Sequence, residues 1–312
     1  MAALIDRLAK FFQEPVHPPN AYQVARTYLS GVHYSKKEKK ITSRVVRPLP
    51  AGILEPAFDK ANVADPAGFE KALREVAFKL GPIGGSVSLL LPESCLRVFI
   101  LTFESLPSSP AERQEMLRWR LNKIVPFKPG DMRLSYDVIK SNGQSKVLLA
   151  LARADVVREY ESLFGRIGLK IRTVGVPVLN LLNLVRLEPP GHAMIANVEE
   201  DALGLLTILD GEVSLFRFKP FLQDALNPMS PVQKMEQVAD EIENTVRFVE
   251  DREKKTIASV WIRSAVEGAE EDGPAALRKR LAPMTVAEFS SPWPLAFRDR
   301  QVLSPLIGQV LR

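Results

Sequence analysis

The chain has 312 residues, 46% hydrophobic and 25% charged, with a formal charge of +5. That is the composition of a soluble globular protein with one large domain or two ordinary ones. The mild basic balance suits an anionic surface or an acidic partner, but no basic block is interleaved with aromatics, which excludes a nucleic-acid groove.

The N-terminal run MAALIDRLAKFFQEP places Leu4, Ile5, Leu8, Phe11 and Phe12 at helical spacing on one face. It lacks the apolar core and cleavage site of a signal peptide, and no run in the chain approaches bilayer-spanning length. Two placements stay open for residues 2–12: docked on their own domain, or against a membrane surface or partner. PVHPPN then reads as a stiff linker. Two strands, YQVARTYLSGVHYS and KITSRVVRPL, flank the solvated basic tip Lys36–Lys40. A helix follows, N-capped by Asp65 with Pro66 at its first position, burying Phe69, Leu73, Val76 and Leu80 and closed by Gly81. GPIGG leads into a strand and is read as a turn. Next come the strands SVSLLLP and LRVFILTF. The single cysteine, Cys95, falls between them in an apolar run and reads as packed rather than reactive. With no disulfide available, the chain fits a reducing compartment.

Ser109, Pro110 and Glu112 predict a capping box at the start of a helix with Leu117, Leu121 and Ile124 as its apolar stripe. Trp119 points away from that stripe, so its indole wants a second surface. RLSYDVI and KVLLALA pair as strands across a turn at Asn142-Gly143. A helix DVVREYESLFGRIG, a strand LKIRTVGV and a helix VPVLNLLNLVRL follow. Beyond EPPG lies a second block: the strands HAMIANVEED, ALGLLTILDG and EVSLFRFKPF, and a long helix with Met235, Val238, Ile242, Val246 and Val249 on one side. A strand TIASVWIRSA, a helix DGPAALRKRLA, a strand TVAEFSS and a closing helix VLSPLIGQVLR complete it. Two alternating blocks predict an α/β protein with two lobes.

Catalytic signatures are missing. The three histidines are scattered and predict no metal site. There is no nucleophile elbow, P-loop or dinucleotide fingerprint. The carboxylates Glu199, Glu200 and Asp201 read as a solvated loop.

The order of features nevertheless resembles one family. Leu91-Pro92, Leu106-Pro107, a helix with Trp119 at its middle, Val125-Pro126-Phe127 and the strand Ser135–Ile139 resemble the small inserted subdomain of the type IV pilus assembly protein PilM. PLPAGIL before a helix, GRIGLKIRTVGVPVLNLLNL, ADEIENTVRF and the tail PLIGQVLR stand in the matching order. The resemblance implies an α/β actin-like two-lobed fold with an inserted small α+β subdomain and a reduced second lobe. Its parts would be residues 1–20 (helix and linker), 21–85 (first lobe), 86–166 (insert), 167–190 (first lobe again) and 191–312 (second lobe). It also implies a cytoplasmic place at the inner membrane. The partner would be the N-terminal cytoplasmic peptide of a PilN-like single-span membrane protein, held beside the insert. Candidate peptide contacts are Arg118, Trp119, Arg120, Lys123, Pro126 and Phe127. A homo-oligomer or ring is a further expectation.

The nucleotide positions of that family are altered. Ala21 and Ala25 replace the glycines of the first phosphate loop, and Gln23 replaces its metal-organising Asp, with Arg26 and Tyr28 among the former serines. Asn197 stands at the Asp of the second loop and Glu199 at its glycine. RSAVEG replaces the adenosine turn, and the segment before the long helix is too short for the fourth subdomain. A neutral Gln supplies no charge to magnesium, and a Cβ closes backbone conformations that glycine allows. The expectation is therefore a non-enzymatic adaptor with neither ATP nor magnesium. Two alternatives remain: an ATP-binding protein with an atypical site, and an L-like adaptor of a type II secretion apparatus.

Overall fold

A computed structural model describes residues 17–81, 84–141, 144–189, 191–221, 228–269 and 273–311. The expected N-terminal amphipathic helix and the Asn142-Gly143 turn lie outside the described residues.

The first lobe opens with β1 (Asn20–Val24), β2 (Tyr28–Ser35) and β3 (Lys40–Pro48), an antiparallel meander. The run read from sequence as one strand is thus two, broken at residues 25–27. The Ala25 N–H donates to Tyr28 O at 2.9 Å to close the reversal. No Gly, Pro or Asn marks that break, so the sequence shows no turn signal there. Helix α1 (Pro66–Leu80) follows, with Asp65 accepting from the Ala67 and Gly68 N–H groups and with Phe69, Leu73, Val76 and Leu80 buried as expected. β4 (Gly85–Leu90) pairs parallel with β1.

The chain then leaves the lobe to build the insert: β5 (Leu96–Phe103), α2 (Pro110–Leu121), β6 (Met132–Ser141) and β7 (Gln144–Arg153). These strands form a separate sheet in the order β5-β7-β6, with Leu117 and Leu121 of α2 in its core. Ser109 Oγ accepts from the Glu112 N–H, one half of the expected capping box. Ile124, expected in the buried stripe, lies beyond the helix end and is 50% exposed.

Back in the first lobe, α3 (Ala154–Arg166) precedes β8 (Leu169–Gly175), and α4 (Pro177–Leu181) ends the lobe. The helix expected over residues 176–187 is short and passes into a 3-10 turn at Leu182–Leu184. The pairing of β4 with β1 and β8 assigns that strand to the first lobe. The rings of α3 do the same for the helix: Phe164 lies edge-on to Tyr22 at 5.4 Å and Tyr160 to Phe69 at 6.1 Å. The insert therefore runs from about residue 91 to 153, inside the span of 86–166 expected from sequence.

The second lobe repeats the first. β9 (Ala193–Val198), β10 (Ala202–Leu209), β11 (Glu212–Pro220), α5 (Pro231–Glu253), β12 (Ser259–Ser264), α6 (Gly273–Arg280), β13 (Thr285–Glu288) and α7 (Phe297–Val310) follow in order. The two large sheets have the orders β3-β2-β1-β4-β8 and β11-β10-β9-β12-β13, the same topology twice. Met235, Val238, Ile242, Val246 and Val249 of α5 are buried as expected. Each buried aliphatic side chain of this kind contributes about 1.5–3 kcal/mol.

Strand alternation joins the lobes. Tyr22 and Val24 of β1 face α1 and α3, while Ala21 faces α7. Met194, Ala196 and Val198 of β9 face α5 and α6, while Ile195 packs with the first-lobe core. Helices α4 and α7 cross between the lobes, α4 lying on β9 and β10 and α7 on β1 and β2. At the crossing, a Cβ on Gly308 would stand 2.0 Å from the Asn180 carbonyl oxygen. Gly308→Ala is expected to lower Tm by several degrees in a thermal melt. The clash is against backbone, and an overpacked contact costs about 1–3 kcal/mol, offset by roughly 1 kcal/mol of helix propensity. A Tm equal to or above that of the natural chain would show that the crossing is looser than described.

Candidate functional site: a filled cleft beside an open groove

The strand parity that sends Ala21 toward α7 also sends Gln23 to the space between the lobes, and Asn197 arrives there from β9. Both are fully buried. The β1–β2 and β9–β10 reversals face each other, the second closed by the Glu199 N–H donating to Ala202 O at 2.9 Å. The five altered positions divide accordingly. Ala21 and Ala25 are packed in apolar clusters. Gln23, Asn197 and Glu199 join one buried polar network.

At its centre is Arg263 of β12, whose side chain is fully buried. Its guanidinium donates to Glu199 Oε1, to Asn197 Oδ1 at 3.0 Å and to Tyr28 OH at 2.6 Å. It also donates to two carbonyls of α7, Gln301 O at 2.6 Å and Val302 O at 3.2 Å. Pro305 explains the first of these. It lies inside α7 and has no N–H, so the Gln301 carbonyl four residues earlier lacks its helical donor and is free for Arg263. Gln23 Nε2 donates to Tyr28 OH at 2.9 Å and to Glu199 Oε1 at 3.1 Å, and Tyr28 OH donates to Glu199. Burial opposes the charge on Arg263, but Glu199 and Tyr28 outweigh it and hold the guanidinium protonated beyond its usual range.

Glu93, from the 3-10 turn Glu93–Cys95, closes the other side. Its Oε1 accepts from Asn197 Nδ2 at 2.9 Å and from the Val178 N–H at 2.8 Å. Its Oε2 lies where a Cβ on residue 204 would stand 1.9 Å away, so only Gly204 admits this carboxyl. Burial pushes its pKa up to about 8, against the pull of those two donors. Asp201 is raised to about 6, again chiefly by burial. The acidic loop expected to be solvated is thus folded in: Glu199 is buried and bound to Arg263, and Glu200 pairs with Lys234. Sequence reasoning passed over Glu93 and Arg263. An arginine inside the apolar run SVWIRS is itself a signal, because a charge in a central strand requires partners. Cys95 is buried, with its thiol pushed up by burial, as expected of a packed residue.

The space left between Gln23, Ala25, Glu93, Glu199 and Asp201 is about 10 Å³, room for about one water. Among the described residues no cluster of three metal-ligating side chains exists.

Immediately beside it the surface opens into a groove of about 560 Å³. Pro56 to Asp59 of the first lobe, Arg97 and Phe99 of β5, Ile124 to Pro126 after α2, and Phe218, Pro220 and Phe221 of the second lobe form its walls. Arg26, Ser94, Asp201 and Ala202 line both the groove and the closed cleft. The Arg97 guanidinium lies 4.2 Å from the Phe58 ring centre and donates to Leu96 O at 2.7 Å.

Of the candidate contacts, Pro126 lines the groove, and Phe127 supports its wall by packing on Phe58 at 5.1 Å. Arg118 is turned inward and donates to the Pro129 and Met132 carbonyls. Trp119 is 60% exposed, with Lys123 Nζ 4.0 Å above its ring, and neither they nor Arg120 are part of the groove lining. Ile124 and Val125, which were assigned no contact from sequence, are.

No family model matches the sequence, and no curated protein matches it. The fold does have solved counterparts. A chain of a PilM–PilN type IV pilus biogenesis complex superposes with a TM-score of 0.75, covering 95% of this chain and 97% of that one at 16% identity. A Bacteroides thetaiotaomicron protein with an actin-like ATPase fold and unknown function gives 0.56, covering 92% and 94% at 11% identity. The cytoplasmic domain of EpsL, an inner-membrane component of the type II secretion system of Vibrio cholerae, gives 0.52 at 11% identity, covering 94% of each chain. Among the described residues no helix is long and apolar enough to cross a membrane.

Two measurements test the network. The folded value of Glu93 lies above its ordinary 4.5, so the folded protein holds this proton more tightly than the unfolded chain. The stability it contributes is complete below about pH 4.5 and is lost as pH rises through about 8. Asp201, raised from 3.8 to about 6, acts in the same sense over a lower window. Tm is therefore expected to fall as pH rises from about 4.5 to 8, and Glu93→Gln to flatten the fall between pH 6 and 8 and to leave below pH 6 only the part that Asp201 contributes. An unchanged slope in the variant would exclude a protonated Glu93. Arg263→Ala, which strands the Glu199 carboxylate, is expected to cost about 3–5 kcal/mol in urea unfolding. A cost below 1 kcal/mol would mean that the network does not hold the lobes together.

Proposed function

We propose, on the premise that the chain has the PilM-like form of the actin-like fold, that it is a non-catalytic adaptor. In this reading it holds the N-terminal cytoplasmic peptide of a PilN-like single-span membrane protein and stands at the cytoplasmic face of the inner membrane. One observation carries it. Between the lobes about 10 Å³ is left, and beside them a groove of about 560 Å³ lies open against the insert. The groove has room for a chain segment, while the space among Gln23, Ala25, Glu93, Glu199 and Asp201 is too small for a nucleotide.

The chemistry of the cleft supports the same reading. A magnesium site needs free carboxylate oxygens. Here Glu199 is bound to Arg263, Glu93 is held neutral at pH 7 by burial, and Gln23 brings no charge. Triphosphate would have to displace the Arg263 network and then lie against Glu199. The groove has the features of a peptide seat: apolar walls, an arginine stacked on Phe58, and the exposed Ile124 beside Pro126. The likeness to the EpsL cytoplasmic domain supports a second reading, an adaptor of a type II secretion apparatus using the same groove.

Fluorescence anisotropy with N-terminal peptides of PilN-like and EpsL-partner-like membrane proteins separates the two readings. Ile124→Asp is expected to weaken the bound peptide by tenfold or more, about 1.4 kcal/mol, while Trp119→Ala leaves affinity within about twofold. Peptide binding indifferent to Ile124→Asp would remove the groove from the proposal. Millimolar Mg-ATP is expected to leave Tm unchanged, since a ligand that binds only the folded state must raise it. A rise would reinstate the nucleotide site.

A further inference from the structure

We propose that the free edge of β6 is a self-association surface, on which a second copy of this chain adds antiparallel about a two-fold axis at Ser135. This is independent of the groove and of the peptide reading.

In the insert's sheet, β7 is central, and among the described residues no strand other than β7 pairs with β6, which leaves its outer edge without a strand partner. The strand is ten residues long and contains neither proline nor glycine. An edge of this length is a template for further pairing unless something blocks it. The Val138 N–H is taken by the carboxylate of its own neighbour, Asp137 Oδ1, at 2.8 Å. A short local bond of this kind serves an edge donor that has no strand to meet.

The side chains then choose the occupant. Arg133, Ser135 and Asp137 are exposed on one face of β6, while Leu134, Tyr136 and Val138 are half-buried on the side of α2. Antiparallel pairing about Ser135 sets Arg133 opposite Asp137 of the second copy, twice by symmetry. It sets Leu134 opposite Tyr136, and Ser135 opposite itself. Both charges and both apolar positions are matched, and opposite charges facing across a strand pair are favourable. Neighbouring registers lose this: a centre at Leu134 puts Arg133 opposite Ser135, and a centre at Tyr136 puts it opposite Ile139. Arg133 now lies 3.6 Å from Glu161, in a pair more than one-third exposed on both sides, so its release is cheap. A two-fold contact of this kind is closed, so it yields a dimer rather than a filament.

The test uses the full chain. Ser135→Cys places two thiols on the axis, within disulfide reach across a strand pair. Cys95 is buried and gives little background. Mild oxidation is expected to give a disulfide dimer on a non-reducing gel with Ser135→Cys, and not with Arg133→Cys or Asp137→Cys, each of which faces a different residue. In sedimentation velocity, Arg133→Asp is expected to weaken the dimer by roughly tenfold or more, and Arg133→Asp with Asp137→Arg to restore it. Cross-linking of Ser135→Cys no better than the two flanking controls would overturn the proposal, as would a double swap that fails to rescue. Peptide binding in the groove is read separately and is expected to survive every one of these changes.

Discussion

The structure depends on one buried charge. Arg263 cannot be solvated where it sits, and an isolated guanidinium in that interior would not be tolerated. Its donors therefore dictate their surroundings: a carboxylate and an amide from β9 and the turn after it, a phenol from β2, and two carbonyls from α7. These groups come from both halves of a duplicated fold. Satisfying the arginine and closing the lobes are thus one event. Glu199 is the residue that makes Arg263 tenable.

The same duplication explains why the cleft is filled and the groove is not. Helices α4 and α7 each lie on the sheet of the opposite lobe and draw the two reversals together. Gly204 lets the Glu93 carboxyl reach Asn197, and Pro305 leaves a helix carbonyl unpaired for Arg263. Among the described residues the insert has no duplicate in the second lobe. Its sheet meets β11 mainly through β5, with Lys146 of β7 reaching Glu212 at 3.6 Å, and beside that contact lies the hollow in which Phe58, Arg97 and Ile124 stand.

Much of this was legible in the sequence. Periodicity placed the strands and helices of both blocks in order, and Asp65 and Ser109 marked two helix starts where the structure has them. Gln23, Asn197 and Glu199 were singled out through the resemblance alone, and the structure brings these three into one buried network. What escaped notice was long-range. Arg263 meets Tyr28 across 235 residues of sequence, and no local pattern announces such a pair. Glu199 reads as solvated until its partner is known. The break at Ala25 is fixed by the facing lobe rather than by a turn residue. Trp119 was conspicuous and Ile124 was not, since exposure after a helix end depends on where the chain goes next.

Tying the lobes together also has a mechanical consequence. An actin-like body with an open hinge absorbs a pull as a change of angle. Here Arg263 bonds groups of both halves and α7 lies against α4 at Gly308, contacts that a change of angle would have to break. For a tethered chain held as proposed at Ile124 and Phe58, tension would reach the far lobe through the contact of β5 with β11 as displacement of the whole, and the molecule would act as a strut.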